Sequence, residues 1–180
     1  MSAAYHLLGF VVLPLWIAAG LADYFCHRAA RISANAGTPE SFLHLLQFSL
    51  VGLPVTLALF LKANSGFFLF AAVMILLHHL VAYVDVRYAD GARKVKPFEQ
   101  MVHSFLELLP ITAFLLLAVP AWSQFLALFG LGGEKAVFPP QLQMLFPAYA
   151  AAILVAAFLL NFLPYVEELV RCLRAAHNKG

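Results

Sequence analysis

Between Asp23 and Glu107 the chain places carboxylates and imidazoles at helical spacing. Residues four or seven apart share one face of an α-helix. Four patterns obey that rule: Asp23-x3-His27, Glu40-x3-His44, His78 with Asp85 seven later, and Glu99-x3-His103-x3-Glu107. His79 lies about 100° around a helix from His78, so only one of the two faces the rest at full reach, and spacing favours His78. Imidazole with carboxylate suits iron, manganese or zinc, and the same groups move protons. The candidate metal ligands are therefore Asp23, His27, Glu40, His44, His78, His79, Asp85, Glu99, His103 and Glu107. Glu107, the deepest in its stripe and just before Pro110, is also the candidate for a catalytic proton carrier.

The elements that position these groups follow from composition. Of 180 residues, 63% are hydrophobic and 11% charged, with a mean hydropathy of +0.88; an ordinary soluble domain is about a quarter charged. This is the composition of an integral membrane protein. It excludes nucleic-acid binding and leaves too few charges for a separate water-soluble domain. Five apolar stretches predict spans at about 5–28, 40–61, 66–87, 97–122 and 144–168, in one transmembrane domain over 1–180. Each is near the length a bilayer requires, and continuous apolar runs mark helices and not the alternating strands of a barrel. The first stretch reads as a span and not a secretory leader, because no Lys or Arg precedes it and no cleavage pattern follows.

Arg28, Arg31, Arg87, Arg93, Lys94, Lys96, Arg171, Arg174 and Lys179 fall on one side of such a topology, and only Lys62 and Lys135 on the other. That bias puts the N-terminus outside and the C-terminus in the cytoplasm, in a membrane of the bacterial inner-membrane kind. Cys26 and Cys172 then lie on the reducing side, which disfavours a disulfide. Thr38-Pro39 reads as N-cap and first residue of the second helix, and Pro97 opens the fourth. The glycine- and proline-bearing segment 123–143 reads as a loop or half-helix in the outer interface, or partly re-entrant. Glu167, Glu168, Arg171 and Arg174 fit an amphipathic extension of the fifth helix, with Pro164 kinking its start. Tyr24, Tyr83 and Tyr88 flank the ligands, and their position at an interface favours anchoring over hydrogen bonding to the site.

Five of the nine acidic residues and five of the seven histidines then share one layer in the cytoplasmic half. Glu99 to Glu107 covers roughly 12 Å of helix, so a slab about two turns deep contains them all. Singly, Glu40 and Glu99 in first turns serve the helix dipole, and a lone histidine is a packing residue. Ten ionisable groups at one depth in lipid instead call for mutual pairing or bound cations. The layer also repeats: Asp23 then Glu40 and His44 in the first hairpin, Asp85 then Glu99 and His103 in the second. Two such half-sites accommodate two metals.

This arrangement resembles the di-iron carboxylate proteins, where two helices each give a carboxylate and two others each give a Glu and a His. The spacing within each pair is four here and not three. The surplus of His27, His78, His79 and Glu107 is similar instead to the histidine-rich membrane desaturases and hydroxylases, although no His-x-x-His-His box is present. The resemblance covers residues 20–107 and concerns ligand arrangement. It implies a metal-binding four-helix bundle of the first four spans holding two metal ions, iron first and zinc or manganese next. It also implies an oxidoreductase acting with oxygen on an acyl lipid, isoprenoid or quinol, with an electron-transfer partner at the cytoplasmic face. The rivals are a zinc-dependent lipid hydrolase, a haem-binding electron carrier and a proton or metal-ion carrier.

Overall fold

The computed structural model describes residues 2–145 and 147–178; Lys179 lies outside them. The helices are α1 (Ala3–Ala30), α2 (Gly37–Phe60), α3 (Ser65–Ala92), α4 (Pro97–Ala118), a short α5 (Trp122–Ala127) and α6 (Tyr149–His177). All but α5 are long and apolar enough to cross a membrane, and the described residues contain no β-strand. In the most apolar window of each long helix only 22% to 39% of the residues are buried inside the protein. Phe10, Leu76, Val119 and Leu159 are among the large side chains more than half exposed. An outward surface so apolar is stable against lipid and not against water.

The helix ends differ from the expected ones where tertiary contacts intervene. α2 begins at Gly37, not with Thr38 as its cap: Gly37 takes φ 71°, a left-handed turn open to glycine, which swings the chain from the Ile32–Ala34 turn into the helix. α3 runs on to Ala92, beyond the expected end at 87, because its last turns are held: Ala89 is buried and the Tyr88 hydroxyl donates to Ala36 O at 2.9 Å. α3 starts as the sequence rules demand, with the Asn64 side chain accepting from Phe67 N at 3.0 Å. Pro97 opens α4 as expected, and α4 stops at Ala118, ahead of Pro120.

Two helices carry prolines after one wide turn each. Pro14 follows a π-turn at Leu8–Val12, and Pro164 follows one at Phe158–Phe162. A proline ring collides with the carbonyl four residues earlier. Here those carbonyls belong to Phe10 and Leu160, inside the widened turns. Pro164, expected to kink the start of an extension, is thus absorbed by a π-turn within a continuous α6.

α2 packs on α3 and α6, α1 on α4, and α6 also lies against α1. The α1–α6 approach is close because Gly20 has no side chain: a Cβ there would fall 2.3 Å from Asn161 Nδ2, which donates to Ile17 O at 3.0 Å. Toward one end the interior is largely apolar, built on Phe67, Phe68, Leu109, Leu117 and their neighbours. After α5, the segment up to Leu145 runs extended along the end of α2, bonded by Lys62 N to Gln141 O and Gln143 N to Phe60 O. Gly66 N also donates to Val137 O, and a Cβ at Gly66 would meet the Phe138 carbonyl oxygen at 2.3 Å.

That backbone-to-backbone approach cannot widen without breaking its hydrogen bond. Gly66→Ala should lower stability by about 1–3 kcal/mol, as overpacking does, whereas Gly91→Ala, with nothing within 4 Å of its added Cβ, should be neutral or slightly stabilising. Thermal unfolding of the detergent-solubilised variants checks the contrast.

Candidate metal centre

The ionisable side chains gather where α1 ends, α2 begins, α3 ends and α4 begins, with α6 alongside. Asp23, His27, Glu40, His44, His78, Asp85, Glu99 and Glu168 are each at most 5% exposed. Among the described residues, two groups have the proximity a metal ion needs: Asp23, His27 and His103, and His27, Glu40 and His44. His27 belongs to both.

The imidazoles of His27 and His44 stack face to face, centroids 3.9 Å apart and planes 9° from parallel. One carboxylate holds both. Glu168 Oε2 lies 3.2 Å from His27 Nδ1, and Glu168 Oε1 lies 2.8 Å from His44 Nδ1. A carboxylate only accepts, so each Nδ1 carries its hydrogen and donates. With Nδ1 protonated, a neutral ring presents its lone pair at Nε2, and neither Nε2 has a hydrogen-bond partner.

Carboxylates surround those two nitrogens. His27 Nε2 is 3.3 Å from Asp23 Oδ1 and 3.7 Å from Glu99 Oε1; His44 Nε2 is 3.3 Å from Asp85 Oδ2 and 3.9 Å from Glu40 Oε1. A lone pair facing carboxylate oxygens in a buried site requires either a proton on the ring nitrogen or another cation between them. His103 Nε2 adds a third imidazole, 3.0 Å from Asp23 Oδ1. Asp23 Oδ1 and Asp85 Oδ1 make no hydrogen bond, while their second oxygens are engaged: Tyr165 OH lies 3.2 Å from Asp23 Oδ2, and Gln47 Nε2 donates to Asp85 Oδ2 at 2.9 Å. Asp23 is thereby held with Oδ1 toward His27 and His103, whereas the Asp85 oxygen that faces His44 is Oδ2, the same one that accepts from Gln47.

The repeat read from the sequence reappears as crossed pairs. Asp23 of the first hairpin meets His103 of the second, and Asp85 of the second meets His44 of the first. Glu40 and Glu99 converge on one guanidinium: Arg93 Nε donates to Glu40 Oε1 at 3.1 Å, its Nη1 donates to Glu99 Oε2 at 3.0 Å, and its Nη2 reaches both residues. Burial opposes the charge on Arg93, but the hydrogen bonds to Glu99 and Glu40 outweigh it and raise its pKa above the ordinary value. The halves are not equivalent. The position four residues after Asp23 is His27, whereas the one four after Asp85 is the small, buried Ala89.

Several sequence expectations change here. Glu168, read as part of a surface extension, is fully buried between two histidines, while its neighbour Glu167 sits outside with Arg28 and Arg171. Arg93, read as a topology charge, holds two of the proposed ligands. His103 approaches Asp23 instead of joining Glu99 on its own stripe. His78 is buried as spacing favoured, yet it and Glu107 line a neighbouring cavity and belong to neither ligand group. His79 turns away, its Nδ1 2.8 Å from Ile75 O in its own helix. Tyr24 donates to Glu167, Tyr83 is exposed under Arg87, and neither contacts the centre. Both cysteines are free. Glu168 and Tyr165 carried a usable signal: they are three apart, so they share a helix face continuous with the apolar stripe.

Compared with known proteins, the chain matches no family model, and no curated protein or solved structure is similar to it.

Removing Arg93 leaves Glu40 and Glu99 as facing buried carboxylates. Arg93→Ala should cost about 3–5 kcal/mol of stability, the range for breaking a buried ion pair, while Arg87→Ala, exposed over the Tyr83 ring, should cost well under 1 kcal/mol. Unfolding curves of both variants at neutral pH give the comparison.

Proposed function

We propose that this chain is a membrane-embedded dimetal oxidoreductase, with iron the expected metal, acting with oxygen on a lipid-soluble substrate. The observation that carries the reading is the pair of buried imidazoles oriented by Glu168, with unpartnered Nε2 atoms facing carboxylates on other helices. A carboxylate behind a histidine, fixing its tautomer and ring orientation, is the usual support for a metal-bound imidazole.

Charge supports two ions. Asp23, Glu40, Asp85, Glu99 and Glu168 are five buried carboxylates, and Arg93 is the guanidinium that pairs with two of them. With neutral imidazoles, four negative charges remain, the amount two divalent cations neutralise. His27, Asp23 and His103 would hold one ion, and His44, Glu40 and Asp85 the other, with Glu99 reaching between them. Arg93 donates to both oxygens of each glutamate, and each would still have lone pairs for a metal, since a carboxylate accepts about four hydrogen bonds or ligands. Mixed imidazole and carboxylate sites without thiolate favour iron, manganese or zinc, and such an iron pair supplies oxygen activation when bound.

In this reading α1 to α4 form the metal-binding four-helix bundle, and α6 completes it from the side. The excess of Lys and Arg near the centre supports a cytoplasmic position for it, as in a bacterial inner membrane, with the N-terminus outside. An electron donor would dock there if the substrate itself does not supply every electron that oxygen takes. A second reading rests on the Asp23, His27 and His103 group taken alone, since two histidines and a carboxylate with an open position also suit a single hydrolytic zinc.

Elemental analysis after purification in mild detergent separates the two. The expected result is about two irons per chain without a haem absorbance band; one zinc per chain would favour hydrolysis, and no metal would overturn both. Glu168→Ala should weaken metal retention by about 10–100-fold and His27→Ala should abolish it, while Glu167→Ala and His79→Ala retain the wild-type content.

A further inference from the structure

A cavity of about 640 Å³ adjoins the centre, a size typical of small-molecule sites. Asp23, His44, Asp85 and His103 form its polar end. From there it runs between α1, α2 and α6 past Trp16, Gly52 and Phe158. Along α2 it extends from His44 to Thr56, roughly 18 Å at helical rise. Leu53 and Phe158 line it and are each nearly half exposed on the apolar exterior. Its mouth therefore opens sideways toward lipid, and an occupant arrives from the bilayer.

The polar end determines what that occupant presents. His78 is only 3% exposed and borders the cavity, and its ring nitrogens make no well-formed hydrogen bond, although the backbone of Gln47 and Leu106 lies close to the ring. A buried imidazole left unsatisfied is costly, and a ligand hydroxyl or carbonyl relieves it. Glu107, Asp23 and Asp85 also line the cavity, whereas its lining among the described residues contains no Lys or Arg. An anionic head, such as a phosphate or sulfate, would meet no Lys or Arg there and would face carboxylates instead. Even metals at the centre would only neutralise its own carboxylates and leave Glu107.

We propose that this cavity binds a lipid with a single apolar tail and an uncharged, hydroxyl-bearing head, inserted head-first so that His78 hydrogen-bonds the hydroxyl beside the metal centre. The proposal rests on the dimetal reading only for what happens to the head after binding. A long-chain alcohol and a quinol share this chemistry. His78 is in this role a substrate-positioning residue and not a metal ligand.

The chain has two tryptophans, and Trp16 lines the cavity while Trp122 is half exposed elsewhere. Trp122→Phe therefore makes Trp16 the sole fluorescent reporter. In nanodiscs, a long-chain primary alcohol brominated along its tail should quench Trp16 saturably, and the brominated alkyl sulfate of equal length should not. Recovery of fluorescence on adding unlabelled alcohol or unlabelled quinol tells which source the site prefers. His78→Leu should weaken the alcohol's affinity roughly tenfold, the loss of one buried hydrogen bond, with metal content unchanged. Gly52→Leu, whose Cβ meets only Phe48 at ordinary contact distance, should fill the cavity and abolish quenching in a protein that still folds. Equal quenching by the sulfate, an unchanged affinity in His78→Leu, or loss of metal in that variant would each overturn the proposal. Metal content is measured on the same samples. A wild type without metal that still binds the alcohol would end the dimetal reading and leave the cavity assignment standing.

Discussion

Glu168 is the group on which the polar interior depends. Its two oxygens take the Nδ1 hydrogens of His27 and His44, which stack at 3.9 Å. Both nitrogens on the far side are thereby aimed at the same small volume. Two parallel imidazoles at that distance cannot both carry charge without strong repulsion in a low-dielectric surrounding. Neutral rings with lone pairs on the far side would leave room for a cation among the shared carboxylates, which could then balance their charge. Without Glu168 the rings would be free to turn and the convergence would be lost.

The position of Glu168 is in turn a matter of how α6 meets α1. Gly20 lets the two helices approach, Asn161 ties α6 to the Ile17 carbonyl, and Tyr165 reaches both Gly20 O and Asp23. Asn161 lies in the π-turn that precedes Pro164. The extra residue in that turn rotates everything after it relative to a regular helix, so it sets which face Tyr165 and Glu168 present. A local device that accommodates a proline thus also adjusts the register of the residues behind the histidines. π-turns are often found near functional sites, and this one has a visible geometric consequence.

Depth divides the protein into two regimes. At one end the interior is hydrocarbon-like, built on Phe67, Phe68, Leu109 and Leu117, and held by dispersion and small-residue contacts. At the other, charges are buried in numbers that only mutual compensation permits, and Arg93 meets part of the need by clamping Glu40 and Glu99. The cavity joins these regimes, apolar along most of its length and acidic where it meets the centre. An amphiphile that crosses the same boundary matches both ends, whereas a wholly polar or wholly apolar molecule would leave one end unsatisfied.

The sequence by itself determined that the chain is all-helical, where its membrane-length segments lie, and which histidines and carboxylates share a stripe. Those properties depend on hydropathy and on the period of a single helix, which are local. Asp23 with His27 and Glu40 with His44 were legible for that reason, as was the start of α4 at Pro97. Only the tertiary structure decided how the stripes face one another. Periodicity does not say that His103 turns to Asp23 and not to Glu99, that His79 points away, or that Glu168 and Arg93 leave their apparent surface roles for the interior. Glu168 followed by Arg171 reads like an exposed helical pair, and Arg93 reads like a topology charge, because nothing within a few residues of either reveals the buried partners. His27, His44 and Glu40 come from helices distant in sequence, and Glu99, six residues after Arg93, from the next helix; rotation about each helix axis is set by packing, with Gly20 and the π-turn of α6 as its local controls.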